Sequence, residues 1–373
     1  MSLDNPLITV TVCVRNGIEW VDGCIEALKN QTYRPLEIIA VDDGSTDGST
    51  KCLEKWHDES GEVPVYILTQ PPTGLSSGRQ LALEKAKGEW VAITDIDVRP
   101  EQTWIANLFS ESKPVSEEEK VVAVTGRTIF QRASDLISKV RSVEIASKYR
   151  SRPRSTSLAN GPCSMFHRQS LLQIGGFNPA WYHAEDMEVS LRLIEDGGTI
   201  VYAPDALVSH VPESGRKRFL AKRSRDARAH VRIMRNFPRR RRKGPDLDFI
   251  GSSTIVLIVA PLWLSTMISG LPFIFSILTS NNLEWNEIKQ WWEFKMLILT
   301  LLLFVVHNLL LLRGPLGVVI RGSISESNKP FLIALFSLRV LTFQWSLALC
   351  KGLILGLMDS IAGKNGHRRL FSK

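Results

Sequence analysis

Strand-length apolar runs alternate with helically spaced stretches over the first hundred residues. Leu7–Val14 is continuous and β-branched and predicts a buried first strand, as do Leu36–Val41, Val63–Leu68 and Trp90–Ile93. Between them, Ile18, Val21, Ile25 and Leu28 share one helix face, a second helix is predicted from about Asp47, and Leu75, Leu81, Leu83 and Ala86 predict a third over Gly74–Lys87. Strand–helix alternation of this kind predicts an α/β domain, a mostly parallel sheet with helices on both faces.

The periodicity weakens over 126–157, where Leu136, Ile137, Val140, Val143 and Ile145 still keep helical spacing. Leu158–Phe166 reads as a strand, His167-Arg168 as the start of a short helix capped by Gly175-Gly176, and the stretch from His183 as a helix with acids in its first turn. Val201–Val211 predicts a further strand ending at His210. Beyond it the pattern changes character: 249–278, 294–312 and 331–358 are apolar enough to cross a membrane, the last interrupted by Arg339 and Lys351. Two to three spans are expected.

Charge sharpens this division. Residues 1–212 carry 21 Lys and Arg against 29 Asp and Glu, whereas 213–243 carry 14 against 2. An acidic domain (1–212), a basic juxtamembrane segment (213–248) and a membrane domain with a basic tail (249–373) follow. A dense cationic belt beside apolar spans suits anionic lipid head groups and argues against nucleic acid. It also predicts a catalytic domain on the cytoplasmic side of a multi-pass cell-membrane protein. With three spans, the basic tail would then lie outside, against the same rule. The five cysteines form no Cys-x-x-Cys pair and no secretory pattern precedes them, so reduced thiols are expected.

Candidate chemistry gathers where strands end. Trp90–Ile93 runs into Asp95 and Asp97, spaced i, i+2, so the two carboxylates point the same way past a sheet's carboxyl edge. Such a pair suits a hard divalent cation, Mg²⁺ or Mn²⁺, with positions left for phosphate oxygens; alternatively Asp97 caps a helix. Leu36–Val41 ends likewise in Asp42-Asp43-Gly44-Ser45-Thr46-Asp47, able to accept hydrogen bonds from a base or ribose, or simply to cap a helix. Neither a Gly-x-Gly-x-x-Gly fingerprint nor a Walker Gly-Lys-Ser/Thr is present.

Together these pieces resemble family 2 glycosyltransferases of the GT-A fold. The resemblance rests on Thr11–Asn16, Ile38–Asp47, Thr73–Gln80 (with Gly78 and Gln80 where the family has Ala and Asn), Gly88–Asp97, and Gly175–Asn178 followed by Glu185-Asp186. It covers about residues 7–211. It implies a nucleotide-sugar site built from Val14, Asn16, Asp42, Gly74, Arg79, Asp95 and Ile96, with the donor UDP- or GDP-linked. It implies a metal, Mn²⁺ or Mg²⁺, held by Asp97 with Asp95 and His210. It implies Asp186, beside Glu185, as general base for inverting transfer, and Arg216 and Lys217 are further candidates for gripping the diphosphate.

The membrane segments suggest a membrane-associated acceptor, such as a lipid-linked saccharide. A processive polysaccharide synthase is the alternative, but Phe219–Arg228 has no Gln-x-x-Arg-Trp. Asp97-Val98-Arg99 also departs from the Asp-Ala-Asp pattern of the dolichyl-phosphate-mannose branch. An inactive membrane scaffold is the third possibility, and it has no need of Asp42, Asp95, Asp97 and Asp186 together.

Overall fold

The fold is described from a computed structural model covering residues 5–131, 135–150, 152–181, 183–213, 215–240, 242–243, 254–280, 284–314, 316–319, 321–322 and 331–364. Nine strands are described: β1 Ile8–Val14, β2 Leu36–Asp42, β3 Val65–Thr69, β4 Trp90–Asp95, β5 Val98–Pro100, β6 Val121–Phe130, β7 Ser155–Thr156, β8 Ser164–His167 and β9 Thr199–His210. The helices of the same domain are α1 Ile18–Lys29, α2 Ser49–Glu54, α3 Leu75–Lys85, α4 Trp104–Ser110, α5 Leu136–Tyr149, α6 Arg168–Gln173, α7 Glu185–Glu195 and α8 Arg216–Asn236. Beyond them come α9 Thr254–Leu257, α10 Val259–Thr279, α11 Trp285–Ile288, α12 Trp292–Arg313 and α13 Phe331–Ile361.

The strands form one sheet in the order β3-β2-β1-β4-β8-β6-β9-β5, with β7 on β9. The half built from β1 to β4 is parallel. β8 enters antiparallel to β4 and β6, so the sheet is mixed. Alternation along the strands loads both faces. Ile38 and Ala40 of β2 join a core under α1, α2 and α4, while Ile39 and Val41 join one under α3, α6 and α7.

Two sequence expectations needed correction here. Leu158–Phe166 is not a strand throughout; only Ser164–His167 pairs. Asn160-Gly161-Pro162 turns the chain instead, and Asn160 satisfies Thr125 Oγ1 and Gly126 O across the gap. The ten-residue β6 lay partly in the stretch whose pattern looked weak, because its alternation is broken by register shifts against β9.

Three helices are long and apolar enough to cross a membrane: Ile255–Thr279, Trp292–Arg313 and Leu332–Ile361. Residues 249–253, at the start of the first expected span, lie outside the described residues. A third core ties these helices to α5 and α8 through Val140, Phe219, Leu311, Leu341 and Trp345.

Candidate active site

The carboxyl ends of β1, β2 and β4 open into a cleft of about 740 Å³. At its centre stands Arg79, carried by α3 and 2% exposed. Its Nη1 donates to Glu185 Oε1 at 2.8 Å, and its Nη2 donates to Asp95 Oδ1 at 3.0 Å and Gly161 O at 3.2 Å. One planar guanidinium thus joins the β4 carboxylate to the first turn of α7, a two-ended grip that a lysine does not reproduce. Burial pushes the Glu185 carboxyl up to about 7; Arg79 pulls the other way and the charge of Asp186 adds to the rise. Asp186, next in the turn, accepts from Gly161 N at 3.0 Å and Met187 N at 2.8 Å. A Cβ on Gly161 would lie 3.0 Å from Arg79 Nη2, so the loop comes this close because it carries no side chain. The turn is entered through Ala184 at φ +62°, a left-handed conformation that costs a non-glycine residue energy.

A second pair lies where β5 meets β9. Asp97 Oδ1 faces His210 Nε2 at 3.5 Å. His210 Nδ1 lies 2.8 Å from Val211 O and donates to that carbonyl, which turns Nε2 toward the carboxylate. Phe130 stacks on the ring at 4.4 Å and fixes its plane. A proton on Nε2 bridges this gap, and a metal ion that replaced it would be held by Nε2 and the carboxylate together. Burial raises the Asp97 carboxyl, with His210 opposing and Asp95 contributing. A divalent ion of oxygen and imidazole preference fits this donor set. Among the described residues no three His, Cys, Asp or Glu side chains close on one point, so further ligands must come from a bound molecule or water. Asp95, expected to share the ion, spends one oxygen on Arg79.

Other expected residues divide. Val14, Gly74, Arg79, Asp95, Glu185, Asp186 and His210 line the cleft. Asp42 does not; it turns back to Thr50 Oγ1 at 2.8 Å and to Ser45 N. Its neighbour Asp43 lines the cleft instead, accepting from Gln70 Nε2, Thr73 N and Gly74 N and so fixing the entry to α3. Adjacent residues on a strand end point to opposite faces, and sequence offered no way to choose between them. Asn16, at φ +51°, ties β1 to the acidic turn by accepting from Thr46 N at 2.8 Å. Ile96 packs into the core beneath α1.

Arg216 and Lys217 sit exposed on the first turn of α8 and do not line the cleft. One to two turns on, Lys222, Arg223, Arg225 and Asp226 do. Asp226 receives His183 Nε2 at 2.6 Å and Arg223 Nη2 at 3.0 Å. Burial works against its charge, yet Arg223 and His183 hold its carboxyl well below the usual range. Helical spacing from Phe219 would have placed this set on one face, had the basic segment been read as a helix.

The sequence profile described as Glycosyl transferase family 2 matches residues 9–175. Among characterised proteins, the chain is similar to the cholesterol galactosyltransferase of Borreliella burgdorferi, 35% identical over 106 residues, 28% of this chain and 29% of that one. It is also similar to the pre-mycofactocin glycosyltransferase of Mycobacterium tuberculosis, 28% identical over 214 residues, 54% of this chain and 42% of that one. These matches span less than half the length of either relative. In structure it is similar to mannosyltransferase PcManGT from Pyrobaculum calidifontis, solved with GDP-Man and Mn²⁺, with a TM-score of 0.54, 19% identity and coverage of 97% of this chain and 89% of that one. The chain therefore carries a glycosyl transferase family 2 domain with the GT-A fold, followed by three helices long and apolar enough to cross a membrane.

Proposed function

We propose that the protein is a membrane-anchored, inverting hexosyltransferase that moves a sugar from a UDP- or GDP-linked donor to a hydroxyl of a membrane-associated, lipid-linked acceptor. The observation that carries this reading is Arg79, which brings the β4 carboxylate and the α7 acids together in one cleft. The donor half is the wall of Val14, Asp43, Gly74, Arg79 and Asp95. Opposite it, Asp186 is held by two backbone N–H groups, oriented to take the acceptor's proton while Glu185 stays committed to Arg79. A single base facing the donor supports attack from the far side of the sugar and hence inversion. Asp97 and His210 would hold Mn²⁺ or Mg²⁺, which when bound supplies charge neutralisation on the diphosphate leaving group. The catalytic domain would face the cytoplasm, where nucleotide-sugars are made and where the basic belt meets anionic lipid.

Melting of the purified chain with a panel of nucleoside diphosphates, with and without Mn²⁺, tests this reading. A ligand at a hundredfold its Kd adds about 2.7 kcal/mol. The expected result is a shift with uridine or guanosine diphosphate that needs Mn²⁺ and disappears in Asp97→Asn and His210→Ala. A shift indifferent to Mn²⁺ and to both substitutions would remove the metal, and no shift with any nucleotide would favour a scaffold.

A further inference from the structure

The third apolar helix has the length of a span, but its partner does not belong in a bilayer. α13 runs alongside α8 in the same direction, as its contacts record. Phe219 meets Trp345 edge-on at 5.1 Å. Gly352 abuts Ser224 and Ala227, and a Cβ on Gly356 would lie 2.8 Å from Val231 and 2.9 Å from Arg228 O. Arg228 then grips Asp359 through Nε and Nη2, which donate to its two carboxylate oxygens at 2.6 and 2.7 Å. The glycines let the two backbones approach, as small residues four apart do. α8 carries nine Lys and Arg in its 21 residues. Such a helix cannot cross the hydrocarbon core, and neither can the stretch zipped to it from Trp345 to Asp359.

The rest of α13 is too short to cross. Phe331–Gln344 spans about 21 Å at ~1.5 Å per residue, against a hydrocarbon core of about 30 Å. Its other contacts lie at one end of the α10–α12 hairpin. Those two helices are antiparallel, pairing Phe273 with Phe294 and Trp263 with Phe304. The end where α10 begins and α12 finishes is marked by His307 Nε2 at 2.7 Å from Ile255 O. There Ser346 bridges Leu257 O and Ala260 N, and Leu338 and Leu341 pack with Leu316 and Val319, just past α12. Both halves of α13 therefore sit at the catalytic-domain end of the hairpin.

Opposite α8, the helix still shows an apolar stripe along its whole length. Leu332, Phe336, Leu347, Ile354, Met358 and Ile361 are exposed, and Lys351 and Arg339 have stems long enough to reach head groups from an in-plane position. We propose that α13 is a surface helix, with this stripe sunk among the acyl chains of the leaflet nearest the catalytic domain, so that the chain crosses the membrane twice. Its occupant is lipid because α10 and α12 expose apolar surface of the same kind, at Leu264, Met267, Leu302 and Leu309, and the exposed Lys351 borders the stripe for anionic head groups. Lys364 then stays on the side of the catalytic domain, which removes the conflict that three spans create. Leu349 of the same helix lines the active-site cleft beside Arg225, so the cleft rim lies at the membrane surface, where a lipid-borne acceptor would meet it.

The inference rests on the membrane-anchored reading above, and labelling with a membrane-impermeant maleimide separates the two. Full-length chain in its native membrane is compared as Glu284→Cys, in the turn between α10 and α12, Lys364→Cys, just after α13, and Arg218→Cys on α8, with the parent as background. Two crossings predict that Glu284→Cys reacts from the face opposite Lys364→Cys and Arg218→Cys, which react only once that second face is opened. Lys364→Cys reacting with Glu284→Cys, and apart from Arg218→Cys, would overturn the surface helix and leave anchoring intact. All three reacting from one face would overturn anchoring itself.

Discussion

Arg79 Nη1 and Glu185 Oε1 meet at 2.8 Å across 106 positions of sequence, with Arg79 itself almost wholly enclosed. A buried charge of this kind is stable only with its partners in place. Arg79→Met would leave Asp95 and Glu185 facing each other without compensation, and denaturant unfolding should record a loss of about 3 kcal/mol or more. Arg79→Lys should recover only part of it, since an ammonium cannot serve both carboxylates in plane. Equal stability of Arg79→Lys and the parent would show that the two-ended grip is not needed.

The raised Glu185 carboxyl makes stability depend on pH with a definite sign. Its folded value of about 7 lies above the ordinary value of 4.5, so the folded state holds the proton more tightly than the unfolded chain does. This contribution is fully present below pH 4.5 and is lost as pH rises to 7. At about 1.4 kcal/mol per pH unit between those two values, the loss is on the order of 3 kcal/mol. Glu185→Gln should flatten that segment of a stability–pH curve measured by urea unfolding.

The role proposed for Asp186 is one that donor binding does not need. Asp186→Asn keeps the shape and can still accept a hydrogen bond from Gly161 N, so the Mn²⁺-dependent melting shift with nucleotide should persist. Turnover should fall by roughly 10²–10⁴-fold if the carboxylate takes the acceptor's proton. Donor turnover close to the parent's would move the base elsewhere in the cleft.

Gly78 stands where the family pattern has alanine, and the structure supplies a reason. A Cβ there would lie 2.9 Å from Cys13 Sγ, on β1 beneath α3. Gly78→Ala alone should destabilise by about 1–3 kcal/mol through overpacking. In a Cys13→Ala background the same change should be neutral or should gain up to ~1 kcal/mol of helix propensity. Thermal melts of the four variants form the cycle that decides it, and additive effects would refute the steric account.

Sequence by itself determined much of the α/β half. β1, β2 and β4 are mostly apolar and β-branched because a strand covered on both faces has little polar side to show, and their short length and flanking turns separate them from helices. The strand ends Asp95 and Asp97 and the first-turn acids Glu185 and Asp186 were placed by the same reading, since a residue at the end of a central strand or the start of a helix has few directions to point. Tertiary structure decided the rest. Which of Asp42 and Asp43 faces the cleft depends on how β2 twists into its turn. The pairing of β6 depends on a partner nearly eighty residues away and on bulges that break its alternation. Arg223 and Asp226 reach the cleft only because α8 folds back on the domain. Above all, hydropathy ranks α13 as a span because it counts apolar residues without regard to what lies beside them; the helix that lies beside it is cationic, and that contact is visible only when the chain is folded.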